Sequence, residues 1–505
     1  MPTLPAPNLL KRGWRGLGAL LWAVALLGLP LTSFPLITRL SGSTVAPFSA
    51  IPCLLLALLW LLPYLFRRGK LPAETVPYLV FCLYCSGLAA FSFFDLGSTF
   101  RERGQLGQTL RTFVPFSLGL VFFLLAAAWP RDARGLRRSL QLIHLGGAGL
   151  LVWCAAQWWV IFRLNNQYPP VMDALLSLLA TQFRMEVNPR LSGLAWEPSW
   201  LAHQLNMLYL PLWLAASYQR RSVFPRLWKI SLENLLLGLG LLVFYYSTPR
   251  IGGLACLLML LFLFLKFNLA IYRWIAQRLA RRFPSPGLQR PFRIASALGL
   301  TLLSLGLYAA FGAGLVSIAS QRDPRIQKIA QTAFEPTEIR TLLAFNQNSL
   351  FLIGRRFAFL ERTVYWMTGW HIFNDHPILG VGLGNAGYYF TSEMPAAGWS
   401  STEVRNILYE IDGLPNIKSM WFRLLAETGL TGFALFVTWL LVLWNSAQSG
   451  LKSPDGALQT LALAGQLALL AYVFEGFSVD TFGLPYLFFM AGLVASSAKL
   501  LRAPV

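Results

Sequence analysis

Charge is what this chain has least of. Of its 505 residues only 12% are Asp, Glu, Lys or Arg, roughly half the share found in soluble globular domains. That scarcity argues against a string of soluble domains. Acidic residues are the rarer sign, 21 against 42 Lys and Arg, for a net charge of +21. A balance so basic would suit a nucleic-acid binder, but the cations sit in short stretches between apolar runs. That is the pattern of a membrane protein with basic inward loops, so no nucleic-acid partner is expected. Cysteine is sparse too. Cys53, Cys82, Cys85, Cys154 and Cys256 all fall inside apolar runs, which implies no disulfide framework. Cys82 and Cys85 form a Cys-x-x-Cys without a nearby His or acidic partner and read as small buried hydrophobes. Internal repeats and low-complexity tracts are missing as well.

Apolar residues supply what charge does not: 56% of the chain, with a mean hydropathy of +0.54. They come in twelve runs, near 16–38, 46–66, 75–95, 109–129, 139–162, 197–217, 229–248, 250–267, 294–319, 421–445, 457–478 and 481–499. A spanning helix takes about 20 residues. The expected fold is therefore an all-α polytopic bundle of about twelve transmembrane helices. An even number puts both termini on one side, and Lys11, Arg12 and Arg15 argue for the cytoplasm. The stretch after them is long and lacks a small-x-small cleavage site, so it is expected to stay as the first helix. On this arrangement the inward segments hold 24 of the basic residues and four of the acidic ones, leaving 18 basic and 17 acidic outward. Nearly all the net charge then lies inside, as the positive-inside rule requires.

Three regions follow: helices one to nine in 1–319, a large outward loop at 320–420, and the last three helices in 421–505. A shorter outward loop spans 163–196. Loops beyond about 15 residues are functional or disordered, and these two are rich in Trp, Phe and Arg, unlike disordered segments. Within Arg355–Phe373, Phe359, Trp366, Trp370 and Phe373 recur at near-helical spacing among charged residues, which predicts an amphipathic helix at the membrane surface.

The outward face gathers polar residues from separate segments. Arg190 and Glu197 lie in NPRLSGLAWEPSWLA, just before the sixth apolar run, and Arg250 lies in the short turn YYSTPRIGG. His371, Asp375, His376 and Asn385 lie in HIFNDHPILGVGLGN, and Lys418, Arg423 and Glu427 in LPNIKSMWFRLLAETG. This set suits transfer from a lipid pyrophosphate. Guanidinium forks hold phosphate oxygens and would stabilise the charge that builds on the leaving pyrophosphate without a metal. His376 or Glu197 could take the proton of an acceptor hydroxyl. Taken singly, each residue has a plainer reading. Arg190, Arg250 and Lys418 could be interfacial side chains, and His371 a packing residue there. His376 could cap a turn before Pro377. Glu197 could be an early helix residue before Pro198, and Glu427 the i,i+4 partner of Arg423. Gly380, Gly382 and Gly384, with Asn385, do not follow a strand, so a dinucleotide site is excluded and a turn of close backbone approach is expected. The loop histidines do not make a metal site by themselves.

HPILGVGLGN (His376 to Asn385) followed by WFRLLAETGLTGFALF (Trp421 to Phe436) resembles the bacterial O-antigen ligase and polymerase superfamily, multi-pass GT-C-type glycosyltransferases. RLSGLAWEPSWLA (Arg190 to Ala202) and STPRIG (Ser247 to Gly252) add to the likeness, which covers about 185–445. The resemblance implies a multi-pass protein of the inner membrane that takes an undecaprenyl-pyrophosphate-linked oligosaccharide as donor at the periplasmic face. It implies no metal and no cofactor, with membrane lipids as surroundings and a chain-length regulator and flippase of the same pathway as partners. It also implies that Arg190 and Arg250 bind the pyrophosphate. Ligases commonly carry His-Asn or His-Ser about nine residues before the glutamate of LLAETG. Here Lys418 and Ser419 stand there, which resembles the polysaccharide polymerase branch. Lys418 would then aid phosphate binding or catalysis, and Glu197 or His376 would be the base. A ligase using lipid A-core as acceptor is the alternative. A transporter of the same lipid-linked sugars would place its ionisable groups near the bilayer midplane in repeated halves, which this sequence does not do.

Overall fold

The computed structural model of the chain describes residues 9–92, 99–100, 103–184, 189–226, 228–282, 286–321, 359–410 and 413–502, with isolated positions at 327, 331, 340, 349, 351, 352 and 354. Side chains of residues 9–15, including Lys11, Arg12 and Arg15, lie outside this set, as do residues 355–358 of the expected amphipathic helix.

The architecture is helical. In chain order the helices are α1 (Leu9–Leu27), α2 (Pro35–Ser41), α3 (Ala50–Leu56), α4 (Leu62–Phe66), α5 (Val76–Ser92), α6 (Gln105–Ala128), α7 (Ala133–Arg163), α8 (Pro170–Leu179), α9 (Pro198–Gln204) and α10 (Leu210–Gln219). They continue with α11 (Leu232–Ser247), α12 (Arg250–Arg282), α13 (Pro286–Ser320), α14 (Leu360–Asp375), α15 (Phe390–Glu393), α16 (Thr402–Tyr409), α17 (Met420–Gly450), α18 (Gly456–Glu475) and α19 (Pro485–Arg502). Among the described residues the only strand pairing is the two-residue match of Thr99–Phe100 with Arg103–Gly104. Seven helices among the described residues are long and apolar enough to cross a membrane: α5, α6, α7, α12, α13, α17 and α18. The remaining apolar runs form α1, 50–66, 198–219, α11 and α19. This is a polytopic all-α membrane protein.

Proline sets where these helices depart from regularity. The 16–38 run is not one helix as expected. Gly28 and Pro30 end α1, and α2 begins only at Pro35. Backbone groups freed by the break pair with a neighbouring segment, Phe34 N–H with Ala46 C=O at 2.8 Å and Ala46 N–H with Thr32 C=O at 3.0 Å. Unpaired in an apolar setting, each would cost several kcal/mol. Elsewhere the helix widens instead of breaking. The π turns Ala57–Leu61 and Leu205–Tyr209 each run directly into a Leu-Pro pair, Leu62–Pro63 and Leu210–Pro211. Proline lacks an N–H and crowds the carbonyl one turn back, and a wider turn relieves that conflict.

The chain divides into two compact units, 1–252 with 364–505, and 253–363. The first has an aromatic core in which Tyr78 meets Trp439 with ring centroids 4.4 Å apart, and Phe123 and Phe436 flank that indole at 5.3 Å each. Where lipid is as apolar as the protein, close packing rather than water exclusion holds helices together, and small residues permit it. Gly492 of α19 shows this: a Cβ there would lie 2.5 Å from both Ala126 Cβ and Phe123 C=O of α6. All five cysteines are buried and free. In the second unit α12 and α13 run side by side, with the Tyr308 hydroxyl donating to Leu257 C=O at 3.1 Å. Most of the apolar surface of α13 stays exposed, Leu302 at 70%, as suits a lipid-facing helix.

Gly492→Val is expected to lower stability by about 1–3 kcal/mol through overpacking. Thermal unfolding of purified protein in detergent, followed by size-exclusion recovery, should show the lower midpoint, while Gly299→Val, with open space around it, should not.

Candidate active site

Arg190 and Arg250 come from segments joined by the backbone. Leu191 N–H donates to Tyr246 C=O at 3.3 Å, which ties the loop carrying Arg190 to the last turn of α11. Just beyond, Thr248 takes a left-handed conformation (φ 43°) that ends α11, and Arg250 opens α12 after Pro249. Both arginines are half-buried. The Arg190 loop is clamped by Gln157 of α7, a buried side chain that no sequence motif marks. Its amide oxygen accepts from Ser192 N–H at 3.1 Å and Gly193 N–H at 2.8 Å, and its amide nitrogen donates to Ser192 Oγ at 3.1 Å. On the Arg250 side, Gly252 packs against α9, where a Cβ would lie 3.1 Å from Ala202 Cβ.

Next to this lies a polar cluster inside the bundle. Glu475, the last residue of α18, is fully buried. Its carboxylate meets His203 Nδ1 at 2.6 Å and accepts from Asn206 Nδ2 at 2.5 Å. Asn206 Nδ2 also donates to Gly252 C=O at 2.9 Å. One residue past Glu475, Gly476 C=O accepts from Met420 N–H at 2.7 Å and Ser419 Oγ at 3.2 Å. Ser419 caps α17, and Lys418 precedes it in a left-handed conformation (φ 50°). A continuous path therefore joins the Arg250 turn, through Asn206 and Glu475, to the segment bearing Lys418. A carboxylate this deep is tolerable only with such partners, since an unpaired one carries a large desolvation cost. Both polar atoms of the neighbouring Gln204 side chain, and Asn206 Oδ1, are buried without a hydrogen bond, so the cluster has acceptors and donors to spare.

Lys418 Nζ donates to Glu403 Oε1 at 2.9 Å and lies 4.9 Å from the Tyr365 ring centroid, and the Tyr365 hydroxyl donates to the same oxygen at 2.9 Å. Glu197 sits at the N-cap of α9, half-buried, its carboxylate accepting from the Ser199 hydroxyl. His376 follows α14, exposed, with its ring edge-on to Tyr389. Among the described residues no hydrogen bond joins the His376 side chain to Arg190, Arg250, Glu197 or Lys418. His371 Nδ1 contacts Glu393 C=O at 2.9 Å. No group of three His, Cys, Asp or Glu side chains among the described residues could hold a metal ion.

The glycine-rich segment and the LLAETG segment are each other's backbone partners. Within α17, Gly429 has φ 62° and ψ −171°, a break in the helix. The segment after His376 lies along it. Leu430 N–H donates to Pro377 C=O at 2.8 Å, Val381 N–H to Ala426 C=O at 3.0 Å and Gly382 N–H to Glu427 C=O at 2.9 Å. Gly380 (φ 70°) faces the peptide between Glu427 and Thr428, where a Cβ would come within 2.5 Å, and one on Gly429 would overlap Ile378 C=O. Gly382 (φ 92°) and Gly384 (φ 87°) complete the turn. Asn385 closes it by donating from Nδ2 to Val381 C=O at 3.0 Å. Glu427 is buried and pairs with Arg423 Nε at 3.0 Å.

The amphipathic helix differs from expectation. α14 starts at Leu360 and buries Val364, Tyr365, Thr368, Gly369 and Ile372, so its inward face is offset from the Trp366–Trp370–Phe373 stripe. Trp370 remains exposed, while Trp366 stacks on Phe422. The tyrosine is drawn inward by the hydrogen bond to Glu403.

Residues 235–437 match the O-antigen ligase family. The match, over about two fifths of the chain, supports the O-antigen ligase/polymerase superfamily. No curated protein matches it at a significant level. The match implies a glycosyltransferase-like enzyme, and the apolar helices a multi-pass membrane protein. The matched segment holds Arg250, His376, Lys418, the glycine loop and the α17 break. It omits Arg190, Glu197, His203, Asn206 and Glu475, so all three side chains of the Glu475 cluster lie beyond it. Sequence reasoning missed His203, Asn206, Glu475 and Gln157 because each is a polar residue in or beside an apolar run with no motif around it. The one signal the sequence offers for them is that ionisable groups inside a span are rare and tend to be functional.

Gly380→Ala and Gly429→Ala should each destabilise the protein, by roughly 1–3 kcal/mol from backbone strain alone. Because both disrupt one contact, the double variant should cost clearly less than the sum. Thermal midpoints of the four proteins in one detergent check this double-mutant cycle.

Proposed function

We propose that the protein is a polymerase of O-antigen or exopolysaccharide repeat units. In this reading a growing glycan moves from undecaprenyl pyrophosphate to a sugar hydroxyl of a lipid-linked acceptor, at the periplasmic face of the inner membrane. The observation that carries the reading is the backbone tie between the Arg190 loop and the Arg250 turn, with Lys418 linked to the same cluster through Glu475. Cations delivered from three segments to one end of a bundle suit a diphosphate, whose oxygens they can grip from several sides.

The acceptor oxygen attacks the anomeric carbon, and the bond from that carbon to the pyrophosphate breaks with its electron pair going to the leaving group. Arg190 and Arg250 stabilise the charge that appears there, a service worth about 10²–10³ in rate per fixed donor. No metal is required in this scheme. Lys418, whose ammonium group donates to Glu403 and lies over the Tyr365 ring, adds positive charge to the site. Glu197 takes the proton of the hydroxyl. Its half-buried carboxylate follows the Arg190 loop directly and has no cationic partner among the described residues, whereas His376 is exposed on another segment.

Purified protein in lipid, given one lipid-linked oligosaccharide as its sole sugar substrate, should yield products at repeat-unit intervals. Transfer appearing only after lipid A-core is added would make it a ligase and overturn the polymerase reading. In the same assay Arg250→Ala should lower kcat about 10²–10³-fold. Arg250→Lys should remain impaired because a point charge does not reproduce a fork. Glu197→Gln should stop turnover while donor binding persists, and His376→Ala should leave most activity. The reverse pattern would move the base to His376.

A further inference from the structure

The helices that build the candidate active site carry a second polar region at their other ends. The segment 198–219 opens beside Glu197 and closes at Arg220. α11 opens beside Glu233 and closes beside Tyr246, and α18 opens at Gly456 and closes at Glu475. α7 runs from near Arg137 to Gln157 and beyond. α18 alone, at 20 residues, is about 30 Å long, so the two ends are a bilayer core apart.

At this far end there is a cavity of about 390 Å³ lined by Arg137, Arg220, Arg221 and Arg226, with Glu233 and the first turn of α18. Its lining carboxylate, Glu233, is already engaged, as is Asp455 next to the lining residue Gly456. Glu233 is fully buried and accepts from Ser222 Oγ at 2.7 Å and Val223 N–H at 2.9 Å. Asp455 caps α18 through Ala457 N–H at 2.7 Å. Arg226 donates to Arg220 C=O, which folds the loop back over the cavity. Arg221 lies flat on the start of α18, where a Cβ on Gly456 would be 2.7 Å from Nη1. Among the described residues none of these guanidinium groups forms an ion pair. The positive end of the α18 dipole adds to their field.

We infer that this cavity binds a phosphoryl group. Four planar forks around one space offer many N–H donors to a tetrahedral, multiply charged anion and are poorly matched to a single-atom ion. The positive-inside rule accounts for their side of the membrane but not for their sharing one cavity, where like charges repel. The segments involved, 131–138 and 220–229, belong to the basic set that the charge distribution puts on the inward side. The anion therefore comes either from the headgroup of an anionic lipid in that leaflet or from a soluble phosphate compound on that side. The site is independent of the transfer reaction proposed above and stands whether the enzyme is a polymerase or a ligase.

The full-length protein is placed in nanodiscs of phosphatidylcholine with or without phosphatidylglycerol, and separately titrated with pyrophosphate in phosphatidylcholine alone. Lipid retained on the protein is read by native mass spectrometry and the thermal midpoint by intrinsic fluorescence. Retention and stabilisation by phosphatidylglycerol alone identify a lipid headgroup, and saturable stabilisation by pyrophosphate identifies a soluble source. In either case Arg137→Gln and Arg221→Gln should each weaken the effect about fivefold, the share of one cation near such a charge. Arg67→Gln, which removes the same charge from another exposed loop, should leave it unchanged. Arg137 is exposed on α7, so its variant serves if Arg221→Gln folds poorly. The proposal fails if neither probe acts, if Arg137→Gln binds as the parent does, or if Arg67→Gln weakens binding equally.

Discussion

A helix that ends leaves carbonyls or amides without partners, and in apolar surroundings those groups must find them within the protein. The candidate active site is built where this demand is greatest, because α9, α12 and α17 begin there and α11, α14 and α18 end there. Each end is answered by another. Tyr246 C=O is met by Leu191, Gly476 C=O by Met420, and the open α17 ladder by the segment after His376. The candidate site residues Arg250 and Lys418 stand within a few residues of these contacts, so the pairing of helix ends also positions the segments that carry them. Rigid support of this kind allows charge to meet developing charge without reorganisation.

The cluster around Glu475 has a double character. It crosses α9, α12 and α18 with a carboxylate, an imidazole and an amide, and it keeps unused hydrogen-bonding capacity at Gln204 and Asn206. A purely structural clamp would be expected to use that capacity up. The π turn Leu205–Tyr209 contains Asn206 and shifts it relative to His203, and π turns inside helices gather at functional positions. Its immediate cause here is Pro211, so the same proline that widens the helix also aims this face of it.

Much of the fold can be read in the sequence because each apolar run marks a helical segment, although α12 and α13, at 33 and 35 residues, extend well past theirs. The exception near Pro30 is marked there too, by Gly28, Pro30 and Pro35, but the apolar composition of the run as a whole masks it. The motif segments are visible as well. What sequence does not carry is why HPILGVGLGN and LLAETG occur together, since a backbone ladder between segments some 45 residues apart leaves no trace in side-chain type beyond the glycines. Glu475, His203 and Gln157 are hidden for a different reason. Each is a polar letter in or beside a hydrophobic stretch, and only the crossing of helices makes partners of them. The inward face of α14 departs from the aromatic stripe because a tyrosine hydrogen bond, not aromatic bulk, decides which side is buried.

The mutual fit of the glycine loop and the broken helix bears on how such enzymes can be recombined. Gly380 accommodates a peptide of α17, and Gly429 accommodates a peptide of the loop. Neither segment keeps its shape against a stranger. A chimera built to exchange acceptor preference between two members of this superfamily would have to carry both segments from one parent, together with the connection between them, and the natural crossover points lie outside that block rather than within it.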